Sequence, residues 1–248
     1  HKVVEFGRNE EQNYAILKNE EQTTRIEFDE VLIAVGRVAN TSGFGLENLD
    51  LPLTSNGNIA VNAALQTGYP NILACGDVAG PHQFTHMASY QAFFASLNAL
   101  LGGFWRVKAS DYIVPSATFT SPEIARVGLN EQQAGSLEID CDITFFDMAE
   151  LDRAVADGIP GGFIKILTSP KKDTILGVTI VGPQAGELIG EFIFAMTHGM
   201  GLKKISAVTH IYPTLSEANK FAANKWRNDR LPTTYFPILK KFFRWRRG

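Results

Sequence analysis

The chain has 248 residues, 45% of them hydrophobic and 20% charged, which suffices for one large or two small globular domains. Its net charge of −3 argues against a general nucleic-acid binder, no apolar run reaches the length of a membrane span, and the opening His1-Lys2-Val3-Val4-Glu5 lacks the apolar core of a secretory signal. Cys75 and Cys141 are far apart and belong to no CxxC-type pair, so they read as buried or incidental thiols in a reducing, cytoplasmic setting, and no His/Cys cluster has metal-site spacing.

Three short alternating runs open the chain: Lys2 to Phe6, Tyr14 to Lys18 and Thr24 to Phe28. Polar turns separate them, which predicts an antiparallel β-meander. Val31 to Val35 is a continuous apolar run suited to a strand buried on both faces, ended by Gly36-Arg37-Val38-Ala39-Asn40. Residues 41 to 66 are mixed, with a turn signal at Asn56-Gly57 and a short strand expected over Ile59 to Val61. Ile72 to Cys75 reads as a short buried strand that stops at Gly76 and presents the carboxylate of Asp77. After a turn over Val78 to Pro81, Thr85-His86-Met87-Ala88 opens a helix running to about Leu101, stopped by Gly102-Gly103.

Strand, glycine, acid, turn and helix N-terminus is how an α/β fold sets a polar ligand at the carboxyl end of its sheet. Gly76 lets a ligand approach the backbone. Asp77 can accept two hydroxyl hydrogen bonds from a sugar-like chain. Backbone N–H groups near Met87 and Ala88 favour negative charge on a bound ring. Taken locally, a strand-to-turn corner with Asp77 as its cap explains the same residues.

Ser110 to Pro115 reads as an inter-domain connection, after which antiparallel-style strands with helices between them take over. Strands are expected over Ser116 to Thr120, Ile124 to Leu129, Ile139 to Asp147, Gly161 to Leu167 and Ile175 to Val181. Asn130 reads as the N-cap of a short helix. Gln184 to Met200 predicts one amphipathic helix, Leu202 to Val208 a short one, and Ser216 to Asn228 the last of the domain.

Val31-Leu32-Ile33-Ala34-Val35-Gly36-Arg37 with Asn40-Thr41, followed by Ile72-Leu73-Ala74-Cys75-Gly76-Asp77, resembles the second FAD-binding signature of the pyridine nucleotide–disulfide oxidoreductases. Further on, Phe119 to Leu129, Gly177 to Gly182, Ala185 to Ile189 and His210-Ile211-Tyr212-Pro213-Thr214-Leu215-Ser216-Glu217 resemble that family's dimerisation domain in order, so the matches cover residues 2 to about 230. The resemblance implies the C-terminal part of a flavoprotein with two dinucleotide-binding domains, plus an α+β dimerisation domain built on an antiparallel sheet. It implies FAD and NAD(P)H as cofactors. It assigns Asp77 to the flavin ribityl chain, with Gly36, Arg37, Gly76, His86, Met87 and Ala88 in the cofactor-binding set. It implies a homodimer that passes hydride from nicotinamide through flavin to a disulfide, metal ion, quinone or second nucleotide. The implied division is 1–66 (end of the NAD(P)H domain and return to the FAD domain), 67–112 (C-terminal part of the FAD domain), 113–230 (dimerisation domain) and 231–248 (tail). The alternative is a dimerisation or assembly module without catalysis of its own.

The chain has no G-x-G-x-x-G turn and no C-x4-C pair. In the family both lie in the first half of a longer chain, so this sequence reads as the C-terminal half. In the family's disulfide reductases a histidine precedes the proline of the C-terminal motif and pairs with a glutamate five positions later, as acid and base for thiol exchange. Here Tyr212 stands at the histidine position and Glu217 at the glutamate position, which makes them the candidate catalytic pair. Tyrosine, with a reference pKa of about 10, is a poor base at neutral pH, though it can donate a hydrogen bond or stack on a ring. His210, two residues earlier, reads as a supporting or structural group. The substitution argues against ordinary lipoamide or glutathione reduction, and Tyr-Pro-Thr resembles the soluble transhydrogenases, which use no protein dithiol. The tail, Thr233 to Gly248, interleaves Phe236, Ile238, Leu239, Phe242, Phe243 and Trp245 with five cations. As a helix it suits an anionic bilayer surface, a peripheral place at the inner membrane face; a solvated tail or a helix packed on its own dimer are the alternatives.

Overall fold

The computed structural model describes residues 1–9, 11–102, 106–109, 112–159, 161–231 and 235–247. It is a mixed α/β structure with two sheets, both antiparallel among the described residues. The meander expected at the start forms as β1 (Lys2–Arg8), β2 (Asn13–Lys18) and β3 (Thr23–Phe28), paired in sequence order. Within these strands only Ala15 is buried. The ladder therefore rests on backbone bonds and on surface pairs such as the Arg25 guanidinium 4.0 Å above the Tyr14 ring.

The buried strand expected over Val31 to Val35 does not form. The run has no strand assignment, and Leu32 and Val35 are each 90% exposed. An apolar strand of that type needs a neighbour on each edge and a layer on each face, and the described residues supply neither. The strands expected over Ile59 to Val61 and Ile72 to Cys75 likewise reduce to single bridges, Leu53 with Ile59 and Gln66 with Leu73. Their apolar content is still used: Ile59, Ala74 and Ala79 form one small core, and Leu65, Ala95 and Ala109 another. The second draws Ala95 from α1 (Thr85–Leu101). That helix buries Met87, Gln91, Ala95 and Asn98, a three-and-four spacing. Two of the four are amides, and they tie down loops: Asn98 donates to the carbonyls of Ala64 and Val107 and accepts from the Val107 N–H. The inter-domain connection expected at Ser110 to Pro115 falls partly outside the described residues, as does the stop at Gly103.

The second sheet holds β4 (Pro115–Thr118), β5 (Glu123–Gly128), β6 (Asp142–Asp147), β7 (Phe163–Thr168) and β8 (Ile175–Gly182) in the order β4-β5-β8-β7-β6. Central β8 alternates buried and half-buried positions along most of its length. α2 (Glu131–Ser136) starts at Asn130 with a full capping box, Asn130 accepting from the Gln133 N–H and Gln133 from the Asn130 N–H. α3 (Asp152–Ala156) follows β6 where the sequence announces no element. The single helix expected over Gln184 to Met200 is instead α4 (Ala185–Leu188) and α5 (Gly190–Thr197). Gly190 weakens the helical ladder at the join. α6 (Leu202–Ser206) and α7 (Glu217–Asn228) complete the layer, and α7 packs on β6 and β7. Ile164, Ile166, Val178, Ile180, Phe192, Ala218 and Ala222 build one core between sheet and helices. The tail forms α8 (Tyr235–Arg247), as its spacing allows.

Phe192 is wholly buried in the sheet–helix core. Phe192→Ala should cost about 3–5 kcal/mol, read as a lowered urea midpoint. A loss under about 1 kcal/mol would mean that this core does not carry the domain.

Candidate cofactor site and C-terminal segment

Asp77 sits in a single 3-10 turn, Gly76 to Val78, ahead of α1. Gly76 has φ +76, a conformation that side chains resist. A Cβ there would also stand 3.1 Å from the Ala88 Cβ, so the turn and the helix approach as closely as a glycine permits. The Gly76 N–H donates to Gln91 Oε1 at 2.7 Å, and Gln91 Nε2 donates to the Tyr112 hydroxyl at 3.1 Å. Behind the turn, Asn58 Nδ2 donates to the Asp77 carbonyl at 2.8 Å. The Asp77 backbone is thus held on both sides while its carboxylate points outward. Arg37 reaches it from the loop after the apolar run, Nη1 to Oδ2 at 3.3 Å, and Asp77 Oδ1 has no partner among the described residues. Gly36, at φ +107 and exposed, is the turn that delivers Arg37.

The helix side divides its roles. Phe84 is the N-cap of α1, so the N–H groups of Thr85, His86 and Met87 have no intrahelical acceptor. The Ala88 N–H already donates to the Phe84 carbonyl at 2.9 Å. Ala88 therefore contributes its small side chain against Gly76 and not a free donor. Met87 is buried and anchors the first turn. The His86 ring donates through Nε2 to the Pro115 carbonyl at 3.0 Å and stacks on Phe84. It ties α1 to the start of β4, so its free group toward a ligand is the backbone N–H.

The C-terminal segment is arranged differently from the expected pairing of Tyr212 with Glu217. Glu217 is buried at the first turn of α7, and its Oε2 accepts from the Thr214 N–H at 3.2 Å. Tyr212 is exposed, and its hydroxyl donates to Asp152 Oδ2 at 3.1 Å. That hydrogen bond, the Asp152 charge, slight desolvation and the more distant Glu217 charge together hold the Tyr212 phenol above the ordinary tyrosine range. It is a donor at neutral pH. His210 lies in a separate network: Nε2 faces Glu191 Oε2 at 3.0 Å and Nδ1 faces the Val208 carbonyl at 3.3 Å, while Asn219 donates to the same Glu191 oxygen at 2.9 Å. Its ring is committed to Glu191 on α5 and to the Val208 carbonyl, while Asn219 ties α7 to the same carboxylate.

Among the described residues no hydrogen bond or ion pair joins the Asp77 group to the Tyr212 group. Sequence reasoning missed Gln91, Asn58 and Asp152. Gln91 left a signal, an amide in the apolar stripe of a helix. Asp152 left none, because it meets Tyr212 only through the folding of α3 against the C-terminal segment.

Residues 1–92 match a family model described as pyridine nucleotide-disulphide oxidoreductase, and residues 114–223 match that family's dimerisation domain. The chain is 37% identical over 213 residues to dihydrolipoyl dehydrogenase of Chlamydia pneumoniae, covering 86% of this chain and 44% of that protein. It is 37% identical over 195 residues to dihydrolipoyl dehydrogenase of Thermus scotoductus, covering 79% and 41%. The chain thus spans less than half the length of these relatives. Among solved structures it is similar to LpdA of Mycobacterium tuberculosis, with TM-score 0.80, 24% identity, and 91% and 48% coverage. It is similar also to the HOCl-induced flavoprotein disulfide reductase RclA of Escherichia coli in its Cu(II) complex, with TM-score 0.77, 25% identity, and 90% and 50% coverage.

The raised phenol pKa gives a pH test. The contribution of the protonated phenol is complete below the ordinary tyrosine value and is lost only as pH rises through the raised one. Ultraviolet titration, differenced against Tyr212→Phe, should show Tyr212 ionising later than a free tyrosine. Asp152→Asn should bring it back down. An unchanged midpoint in Asp152→Asn would break the link between these two residues.

Proposed function

The chain belongs to the pyridine nucleotide–disulphide oxidoreductase family, whose members are flavin-dependent enzymes using FAD and NAD(P)H, and from that premise we propose that it is the C-terminal portion of an FAD-dependent NAD(P)H oxidoreductase acting as a homodimer. In this reading residues 1–66 close the NAD(P)H domain and return to the FAD domain, 67–112 complete the FAD domain, 113–230 form the dimerisation domain and 231–248 a tail.

What carries the reading is the turn at Gly76 and Asp77. It fits a flavin: a positive-φ glycine packed against α1 leaves no Cβ in the approach, and Asp77 has a free carboxylate oxygen for a ribityl hydroxyl. Arg37 orients that carboxylate. The N–H groups at the start of α1 carry partial positive charge that would favour negative charge on a bound ring. When bound, FAD supplies the relay of a hydride from nicotinamide to the acceptor. Tyr212, kept protonated by Asp152, donates a hydrogen bond and does not act as the base of thiol exchange. An acceptor needing no dithiol relay, such as a quinone, a metal ion or a second nucleotide, suits it better than lipoamide. A setting at the cytoplasmic face of the membrane goes with that choice. A second reading, an assembly module alone, has in its favour that, among the described residues, the buried members of the sheet–helix core all fall from Ala125 to Trp226.

In the intact enzyme, Asp77→Ala should weaken flavin binding about tenfold to a hundredfold, measured by flavin-fluorescence titration, whereas these 248 residues alone should retain no stoichiometric flavin. Unchanged affinity in the variant, or a yellow one-to-one complex of this chain, would overturn the assignment. Tyr212→Phe should leave flavin binding intact and lower turnover; unchanged turnover would remove Tyr212 from the chemistry and favour the assembly reading.

A further inference from the structure

Helix α8, Tyr235–Arg247, has no part in the redox site. At about 100° per residue, Phe236, Ile238, Leu239, Phe242, Phe243 and Trp245 share one broad side. Lys240, Arg244 and Arg247 share the other with Lys241 on the flank, and only Arg246, in the last turn, falls among the apolar residues. The six apolar side chains are 45–78% exposed. Phe242 lies 5.6 Å from the Phe243 ring and 6.0 Å from the Trp245 ring, between ring centroids. Among the described residues no hydrogen bond or ion pair ties an α8 side chain to another element.

The charge is as unevenly placed as the apolar surface. Five of the chain's 23 lysines and arginines stand in its last nine positions, and none of its 26 acids stands after Asp229. The remainder of the molecule is therefore strongly acidic and would be repelled by the polyanion that attracts the tail. A flat anionic surface takes the helix alone and leaves the acidic body in solvent, which a nucleic acid wrapped on the protein would not.

We propose that α8 docks the enzyme on a bilayer surface rich in anionic phospholipid. The helix lies in the plane of the interface, its aromatic side among the upper acyl chains and its cations at the lipid phosphates. Arg246, on a long stem at the end of the helix, reaches the phosphates from the apolar side. No helix among the described residues is long and apolar enough to cross a membrane, so contact of this kind is one of lying on and not of spanning. The proposal is independent of the flavin reading, because vesicle binding is measured on this chain with or without cofactor.

The test is co-sedimentation of the 248-residue chain with phosphatidylcholine vesicles, with and without phosphatidylglycerol. The expected result is pelleting with the anionic vesicles only, weakened by salt and abolished by truncation after Leu231. Each neutralisation among Lys240→Gln, Lys241→Gln and Arg244→Gln should lower the partition coefficient about fivefold. Tryptophan emission should shift to the blue on vesicle addition, and the shift should vanish in Trp245→Phe, which removes the tryptophan carried by α8. Equal pelleting of the truncated chain would overturn the proposal. So would a tail that drives self-association in sedimentation equilibrium without binding vesicles, or one that changes neither.

Discussion

One buried hydrogen bond sets the geometry of the candidate cofactor site. The Gly76 N–H has no ladder partner, because the strand that leads to it is only a bridge, and Gln91 on α1 accepts from it instead. A buried N–H left unpaired costs about 1–3 kcal/mol, so the turn and the helix are held as one unit. From that anchoring the rest follows. Gly76 packs against Ala88 in the first turn of α1, and the N–H groups of Thr85, His86 and Met87 at that helix start have no intrahelical acceptor. The ion pair with Arg37 adds direction more than energy, since both partners are substantially exposed and such pairs contribute little.

How far the sequence could be read differs between the two halves of the chain. The meander and the five-stranded sheet were legible because each strand alternates and each ladder closes inside the chain. Elements whose partners are local or covered can be read from periodicity alone. Val31 to Val35 carries as strong a signal and yet forms no strand, because its pattern specifies a two-sided burial that the described residues do not provide. The candidate residues Gly36, Arg37, Gly76 and Asp77 were legible as a motif, and the structure brings them together. The identity of Tyr212's partner was not. Glu217 is five residues away in sequence but is used up in starting α7, whereas Asp152, sixty residues away, arrives on a short helix that periodicity does not announce.

The two groups of candidate residues belong to different parts of one chain, with His86 bonding the Pro115 carbonyl as a link between them. The Asp77 group is a polar rim with a free carboxylate oxygen. The Tyr212 group is a neutral donor held by an acid, and His210, two residues earlier, is already bound to Glu191 on α5. In the proposed reading such a segment orients or polarises a group brought to it, and Tyr212 does not serve as the base of thiol exchange.

The most direct measurement is a crystal structure of the intact enzyme with FAD bound. The account predicts an Asp77 carboxylate oxygen within hydrogen-bond distance, about 2.5–3.0 Å, of a ribityl hydroxyl, with the start of α1 directed at the flavin ring. A flavin bound elsewhere, with Asp77 paired to Arg37 alone and facing solvent, would contradict it.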